Sequence, residues 1–211
     1  MTGADKTAEI IKRLEEEYPD ARIALHYSNP FELLVATILS AQCTDEIVNK
    51  VTSALFTKYR SIDSYASADL GMLEQDIRST GFYHNKAKNI LNTARLVLEK
   101  YDGRVPQTMV ELVSLPGVAH KTANIVLYNA YGKTEGIAVD THVKRLSKLL
   151  GITQNTDPQK IEKDLMQKVP GAKWGGFSYL LIEHGRAICK ARKPQHRKCV
   201  LNDICPSAVK L

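Results

Sequence analysis

The sequence predicts an all-α protein, and the helical spacing of its apolar residues is the main reason. Apolar residues recur three and four positions apart in several segments, for example 10–14, 33–39 and 90–98. No segment shows the sustained alternation of apolar and polar residues that predicts a strand. Prolines and glycines interrupt the chain at short intervals, so we expect about ten helices joined by short turns.

Composition and charge narrow the class of protein. The chain has 211 residues with 29 Lys and Arg against 23 Asp and Glu, a net charge of +6. Its length suits one large domain or two small ones, and its charge suits a polyanionic partner. The first eighteen residues predict a charged amphipathic helix rather than a signal peptide, and the apolar run 33–39 is too short to span a membrane. We therefore expect an intracellular monomer, in the cytoplasm or nucleoid, without membrane contact.

A turn in the middle of the chain is the strongest local signal. Residues 115–123 read Leu-Pro-Gly-Val-Ala-His-Lys-Thr-Ala, between predicted helices at about 109–114 and 121–131. Such a turn exposes backbone N–H groups beside the positive end of a helix, where they can bind a phosphate group with no preference for base sequence. A Pro-Gly turn by itself is more often a tight connection between packed helices, so both interpretations stay open at this point.

Two residues near this turn carry reactive side chains. Lys121 follows the turn directly, and Asp140 comes nineteen residues later in the segment Val-Asp-Thr-His. Taken singly, a lysine is usually a solvated surface residue and an aspartate at a helix start is usually an N-cap. Two further segments, 39–45 and 80–87, read Leu-Ser-Ala-Gln-Cys-Thr-Asp and Thr-Gly-Phe-Tyr-His-Asn-Lys-Ala.

Three cysteines lie near the carboxyl end, in the pattern Cys189-x9-Cys199-x5-Cys205. In an intracellular protein such clustering predicts metal ligation before disulfides. The stretch 186–199 also holds six basic residues and no acidic one. A basic stretch of this length is more often a solvated surface, but metal ligands within it would hold it in a fixed shape.

Together these segments resemble the endonuclease III family of helix–hairpin–helix DNA glycosylases, and they occur in the family's order. The family patterns are LSAQxTD, GLYxxKA, LPGVGxKTA and VDTH. The resemblance covers nearly the whole chain and implies a two-lobed helix–hairpin–helix glycosylase fold with a C-terminal metal-cluster loop. One lobe is a six-helix domain, 22–134, and the other joins 1–21 to 135–211. DNA would lie between them, with Lys121 and Asp140 on opposite walls.

The resemblance also implies a reaction on double-stranded DNA that contains damaged bases or abasic sites. The damaged nucleotide swings out of the stack. Asp140 stabilises positive charge on the sugar, while Lys121 attacks C1′, displaces the base and forms a Schiff base. β-Elimination then cuts the strand. The expected activity is that of a DNA glycosylase and abasic-site lyase.

Further site residues follow from the same resemblance. Gln42 fills the space of the extruded base, Ser40 and Asp45 lie near the pocket, and Phe82, where the family commonly has Leu, is a wedge between bases. The remaining DNA contacts that the resemblance implies are Gly117, Ala119, His142 and Lys193. Two alternatives stay open: the Thr-Asp pair at 44–45 is also an ordinary helix-capping signal, and Phe82 could be a core aromatic.

Departures from the family qualify these expectations. Ala119 stands where the family commonly has a second Gly, and a left-handed backbone there would cost about 1 kcal/mol. Thr37 stands where related adenine-removing enzymes have a catalytic Glu, which favours oxidised or ring-saturated pyrimidines as substrates. An oxidised-guanine glycosylase/lyase remains an alternative. A second alternative is a non-catalytic helix–hairpin–helix module that only binds DNA. The presence of both Lys121 and Asp140 argues against it, because neither residue is needed for binding alone.

The family's cysteine pattern, Cys-x6-Cys-x2-Cys-x5-Cys, surrounds a [4Fe–4S] cluster, and His196 falls at its second cysteine. His196 could ligate an iron, as histidine does in Rieske centres. The set Cys189, His196, Cys199 and Cys205 could instead bind Zn, for which three cysteines and one histidine are a familiar combination. In a third interpretation three cysteines hold the cluster and His196 merely lies nearby.

Overall fold

The computed structural model describes residues 3–208, and within this range it contains eleven α-helices, three 3₁₀ turns and no strand. The all-α prediction is confirmed. None of the helices in the described range is long and apolar enough to cross a membrane. The α-helices are α1 Gly3–Glu17, α2 Pro30–Leu39, α3 Asp45–Lys58, α4 Ile62–Ala66, α5 Leu70–Asp76, α6 Tyr83–Tyr101, α7 Met109–Val113, α8 His120–Tyr131, α9 Thr141–Leu149, α10 Pro158–Lys168 and α11 Trp174–Ala187.

The chain divides into two compact units. The central unit is Ala24–Lys133, and the discontinuous unit joins Met1–Ile23 to Thr134–Leu211. The central unit contains seven α-helices, α2 to α8, where the resemblance implies six. Two of the seven, α4 and α7, are only five residues long. The proposed lobes 22–134 and 1–21 with 135–211 stay a prediction.

Helix α2 forms the core of the central unit. Asn29 caps its start by accepting a hydrogen bond from the Glu32 N–H at 2.9 Å, and Pro30 occupies the first turn, where no N–H is needed. The helix then buries almost every side chain from Phe31 to its end. It packs against α3, α6 and α8, so the helices that follow Gln42, Phe82 and the hairpin all contact α2.

The discontinuous unit has its own core, to which distant parts of the chain contribute. Ile10 and Leu14 of α1 are fully buried with Val143 of α9, and Phe177 of α11 is 1% exposed. Leu201, beyond the last helix, is also fully buried in this cluster. Burial of apolar surface therefore joins the amino-terminal helix to the segment that carries the three cysteines.

Candidate active site and metal centre

The hairpin, residues 115–120, connects α7 and α8, close to the predicted helix bounds. Its apolar residues Leu115 and Val118 are 2% and 7% exposed, whereas Gly117 is exposed. Gly117 has φ +77°, and a Cβ there would lie 2.7 Å from Asn89 Nδ2. Both the left-handed backbone and the close approach require glycine. The Thr93 hydroxyl donates to the Pro116 carbonyl at 3.0 Å and ties the turn to α6.

Ala119 is the N-cap of α8 and has φ −93° and ψ 170°. This is ordinary extended backbone, so the left-handed conformation considered from the sequence is wrong and the substitution for Gly costs nothing in backbone strain. Alanine has no side-chain acceptor, so Ala119 does not cap the N–H groups in the first turn of α8. A phosphate oxygen can accept from these groups instead.

Lys121 is the second residue of α8, and its side chain is exposed. It therefore stands directly behind the hairpin, next to the end of the helix at which a phosphate would be held. Exposure leaves its amine accessible to a bound strand.

Asp140 is the N-cap of α9, as one interpretation of the sequence predicted. Its Oδ1 accepts a hydrogen bond from the Val143 N–H at 2.7 Å, while its Oδ2 lies 3.4 Å from His142 Nδ1. The Asp140 side chain is 17% exposed and that of His142 is 30% exposed. The cap therefore uses Oδ1, while Oδ2 faces the His142 ring.

Gln42 and Phe82 share an unusual backbone conformation. Gln42, in the turn between α2 and α3, has φ 53°, and Phe82, the N-cap of α6, has φ 49°. Non-glycine residues in this region are strained and are found disproportionately at functional sites. Both side chains are exposed, Phe82 by 64%. The alternative that Phe82 is a core aromatic is therefore wrong.

The residues around Gln42 have mostly structural partners. The Ser40 hydroxyl donates to the Thr37 carbonyl at 2.8 Å at the end of α2. Thr44 caps α3 by accepting from the Ile47 N–H at 3.4 Å, so the capping interpretation is confirmed there, and Asp45 is the first residue of α3. Thr37 itself is 4% exposed and donates to the Leu33 carbonyl at 2.8 Å.

The four predicted metal ligands surround one cavity. Cys189, His196, Cys199 and Cys205 line a space of about 310 Å³ within the discontinuous unit. All four are half-buried, and burial raises the pKa of the Cys199 thiol. Among the described residues, however, no three His, Cys, Asp or Glu side chains come close enough together to hold a single metal ion.

Two residues that sequence reasoning missed also line this cavity. His184, in the last turn of α11, is 2% exposed, and its Nε2 lies 3.5 Å from Cys199 Sγ while its Nδ1 lies 3.2 Å from the Tyr18 hydroxyl. Burial, with a smaller contribution from Arg145, lowers the pKa of His184 to about 4, so the ring is neutral at pH 7. Arg145 Nη1 donates to Cys189 Sγ at 3.8 Å. No spacing in the sequence signals either contact.

The predicted site residues are divided between the two units. Residues 40–45, Phe82, the hairpin and Lys121 belong to the central unit. The discontinuous unit contains Asp140, His142, the metal ligands and Lys193, an exposed loop residue with φ 58°. The groove that the resemblance implies between the lobes stays a prediction.

Comparison with known proteins identifies the family. The model of the HhH-GPD superfamily of base excision DNA repair proteins matches residues 35–171. Endonuclease III of Synechocystis sp. is 54% identical over 203 residues, which cover 96% of this chain and 93% of that protein. The chain belongs to the endonuclease III family. The Bacillus subtilis family member is 47% identical over 196 residues, covering 92% of this chain and 89% of that protein.

Solved structures give the same answer for the fold. A trapped endonuclease III–DNA covalent intermediate matches with a TM-score of 0.93 and 44% identity, covering 98% of this chain and 97% of that one. The chain is a base excision repair enzyme of the glycosylase and lyase class, and its partner is DNA, as the sequence predicted.

Proposed function

We propose that the enzyme removes oxidised or ring-saturated pyrimidines from duplex DNA and then cuts the strand by β-elimination, with Lys121 as the nucleophile. The observation that carries the proposal is the exposed amine of Lys121 directly behind the hairpin, beside first-turn N–H groups that Ala119 does not cap. A strand held there by its phosphate presents a sugar to the amine. Because the substrate is chromosomal DNA, we place the reaction at the nucleoid.

The chemistry proceeds by displacement at the sugar. The neutral amine of Lys121 forms a bond to C1′ while the bond from C1′ to the base breaks, and the base departs with that electron pair. The attached nitrogen loses one proton, and its electron pair forms the C=N bond of a protonated Schiff base while the bond from C1′ to O4′ breaks and O4′ takes up a proton as a hydroxyl. A base, either water or a carboxylate, then removes a proton from C2′, the C2′–C3′ double bond forms, and the bond from C3′ to its oxygen breaks, so the phosphate leaves with that electron pair as the 5′ phosphate of the downstream strand. Water finally regenerates the lysine.

Asp140 contributes charge. Its Oδ1 is engaged by the helix cap, which holds the carboxylate in one orientation. A fixed carboxylate stabilises the positive charge that develops on the sugar as the base departs, and it costs no reorganisation during the reaction. The His142 ring beside Oδ2 supports this orientation from the other side.

Gln42 and Phe82 would open the duplex. An exposed aromatic side chain can enter between stacked bases, and a glutamine amide can both donate to and accept from an unpaired base. Thr37 supports the pyrimidine assignment, because its hydroxyl is buried and bonded to its own helix, so it offers no acid group for excision of adenine.

Borohydride trapping tests the nucleophile. On duplexes that contain thymine glycol or an abasic site, borohydride should convert the wild-type Schiff base into a stable protein–DNA adduct, and Lys121→Gln should form none. Lys100→Gln, an exposed lysine of α6 in the same unit, is the matched control and should behave as wild type. Strand cutting by Lys121→Gln would contradict the assignment, and a preference for oxidised guanine in the same panel would contradict the substrate.

The double role of Asp140 calls for a second test. Asp140→Asn retains a cap acceptor, so its stability should stay near wild type while turnover falls by about 100-fold or more. Asp140→Ala should lose both turnover and about 1 kcal/mol of unfolding free energy. If Asp140→Asn turned over normally, the residue would be a cap and nothing more.

We also propose that Cys189, His196, Cys199 and Cys205 hold a [4Fe–4S] cluster. The four donors line one cavity, and their spacing Cys-x6-His-x2-Cys-x5-Cys matches the family's cluster pattern with one His in place of Cys, which supports a cluster over zinc. When bound, the cluster supplies four anchor points for the basic loop that contains Lys193. Arg145 and His184 beside the sulfurs of Cys189 and Cys199 would stabilise the thiolates.

Metal analysis distinguishes the alternatives. About four irons per chain with absorbance near 400 nm supports the cluster, whereas one zinc without iron supports the other ligand set. His196→Ala should lose iron, and His196→Cys should keep iron and lower the reduction potential, since a thiolate replaces a neutral imidazole. Full iron retention by His196→Ala would show that three cysteines suffice.

A further inference from the structure

Lys86 is a buried lysine in the second turn of α6. It is 4% exposed, and its ammonium donates to the Leu39 carbonyl and to the Thr80 carbonyl, each at 2.8 Å. Burial lowers the pKa of the Lys86 side chain, which reflects the cost of desolvating the charge. A lysine is almost never buried unless its charge has partners, and here the partners are two backbone carbonyls.

The two carbonyls belong to segments that are far apart in the sequence. Leu39 is the last residue of α2, and three residues later the chain reaches Gln42. Thr80 ends a 3₁₀ turn, and two residues later the chain reaches Phe82. A single nitrogen thus connects the turn that carries Gln42 to the turn that carries Phe82.

Both turns need such a restraint. Gln42 and Phe82 each have positive φ without being glycine, and because their side chains are exposed, burial of these side chains does not maintain the conformation. The Leu39 carbonyl also lies at the negative end of α2, where a cation is stabilised by the helix dipole. The backbone N–H of Lys86 donates to the Phe82 carbonyl at 3.1 Å, as in any first turn of a helix, so the Phe82 turn is joined to α6 at the residue whose ammonium binds the Thr80 carbonyl.

We propose that Lys86 is a positioning residue that couples Gln42 and Phe82, so that both side chains enter the duplex together at a damaged site. The inference rests on the proposed function, in which these two side chains open the DNA. It assigns Lys86 no contact with the substrate. Its effect is on the discrimination between damaged and undamaged duplex, because only damaged duplex is opened.

The matched variants are Lys86→Met and Lys88→Met. They remove the same charge two positions apart on one helix, and Lys88 is exposed. Binding is measured to a duplex with a stable abasic-site analogue and to the same duplex undamaged, with 2-aminopurine opposite the analogue to report unstacking. Lys86→Met should lower the ratio of the two affinities by about tenfold, the effect of removing a hydrogen bond to a charged group. It should also reduce the fluorescence rise, and Lys88→Met should leave the ratio unchanged.

A second measurement keeps the native lysine and so does not depend on the folding of Lys86→Met. Gln42→Ala, Phe82→Ala and the double variant form a cycle on the abasic-analogue affinity. If one ammonium couples the turns, the double variant should lose less affinity than the two single losses combined. Additive losses, or an unchanged affinity ratio in Lys86→Met, would overturn the inference.

Wild-type controls separate this inference from the proposed function. In one outcome, wild type traps with borohydride and raises the 2-aminopurine fluorescence, and Lys86→Met does the same. This outcome overturns only the role of Lys86. Wild type that traps but leaves the 2-aminopurine stacked overturns the insertion of Gln42 and Phe82, and the Lys86 inference with it.

Discussion

The hairpin and the cysteine loop, residues 189–205, are both exposed turns with a predicted role at the DNA backbone, but they keep their shape in different ways. The hairpin buries Leu115 and Val118, and Gly117 packs tightly against Asn89. In the cysteine loop Leu201 is fully buried, while residues 190–194 are all exposed. Three cysteines and His196 of this loop instead surround a cavity.

The two turns therefore stay folded by different means. We expect packing and a few hydrogen bonds to be sufficient for the hairpin, because Leu115 and Val118 are buried and Thr93 donates to the Pro116 carbonyl. Residues 190–194 of the cysteine loop bury no side chain, so their shape should depend on the group that we propose the four donors hold.

Loss of one ligand should release the cysteine loop and leave the hairpin folded. Cys199→Ala should lose its metal, and trypsin should cut within residues 190–198 at least about tenfold faster, since metal binding supplies the folding energy of such loops. Hydrogen exchange at the Val118 amide should not change. Cys43→Ala, which removes the cysteine outside the loop, is the control. Metal retention and slow cleavage in Cys199→Ala would remove the contrast.

Gly117→Ala should damage the hairpin through packing. The left-handed backbone and the contact with Asn89 should together cost about 3 kcal/mol of unfolding free energy. Gly132→Ala has a similar φ of +65° but no atom within 4 Å of the new Cβ, so it should cost only about 1 kcal/mol. Urea denaturation measures both. Asn89→Ala should restore part of the loss, and equal costs at both glycines would mean that packing adds nothing.

Gly185→Ala tests the packing beneath the cysteine loop. A Cβ at Gly185 would lie 2.8 Å from His142 Cδ2 and 3.2 Å from Arg145 Nη2. Overpacking should outweigh the better helix propensity of alanine and cost about 1–2 kcal/mol, with a change in the absorbance of the metal site as Arg145 moves from Cys189. At Gly171, where a Cβ meets no atom within 4 Å, alanine should be neutral. A more stable Gly185→Ala would contradict the close contact.

Thr93→Val should have the smallest effect. It preserves shape but removes the hydrogen bond to the Pro116 carbonyl, so thermal or urea unfolding should show a loss of about 1 kcal/mol. Thr57→Val removes a similar bond to the Ser53 carbonyl on the exposed side of α3. Because water can replace this bond, the loss should be a few tenths of a kcal/mol. Equal losses in the two variants would show that the hairpin gains nothing from its connection to α6.

Local signals predicted much of the hairpin and the ends of the helices. Pro116 and Gly117 separate two periodic segments, so the predicted bounds of the helices on either side lie within one residue of the observed bounds. A difference of one residue is the uncertainty expected at any helix end. The cap at Asp140 was one of the two interpretations open from the sequence, because capping depends on residues three positions apart, and the structure contains it.

Long-range contacts could not be predicted in this way. Periodicity does not distinguish a core aromatic from an exposed one beside a strained turn, so the exposure of Phe82 came only with the fold. The burial of Lys86 and the approach of His184 to Cys199 each join residues whose separation in sequence carries no signal.

Residue types at short, fixed spacings were enough to predict the helical fold class, the turn of the hairpin and the proposed metal donors near the carboxyl end. The unstrained backbone of Ala119, the exposure of Phe82 and the connection that Lys86 makes between two distant turns came only with the tertiary structure. These features arise when separate helices bury their apolar faces against one another. A buried charge or a strained backbone is maintained by that packing and leaves no local pattern in the chain.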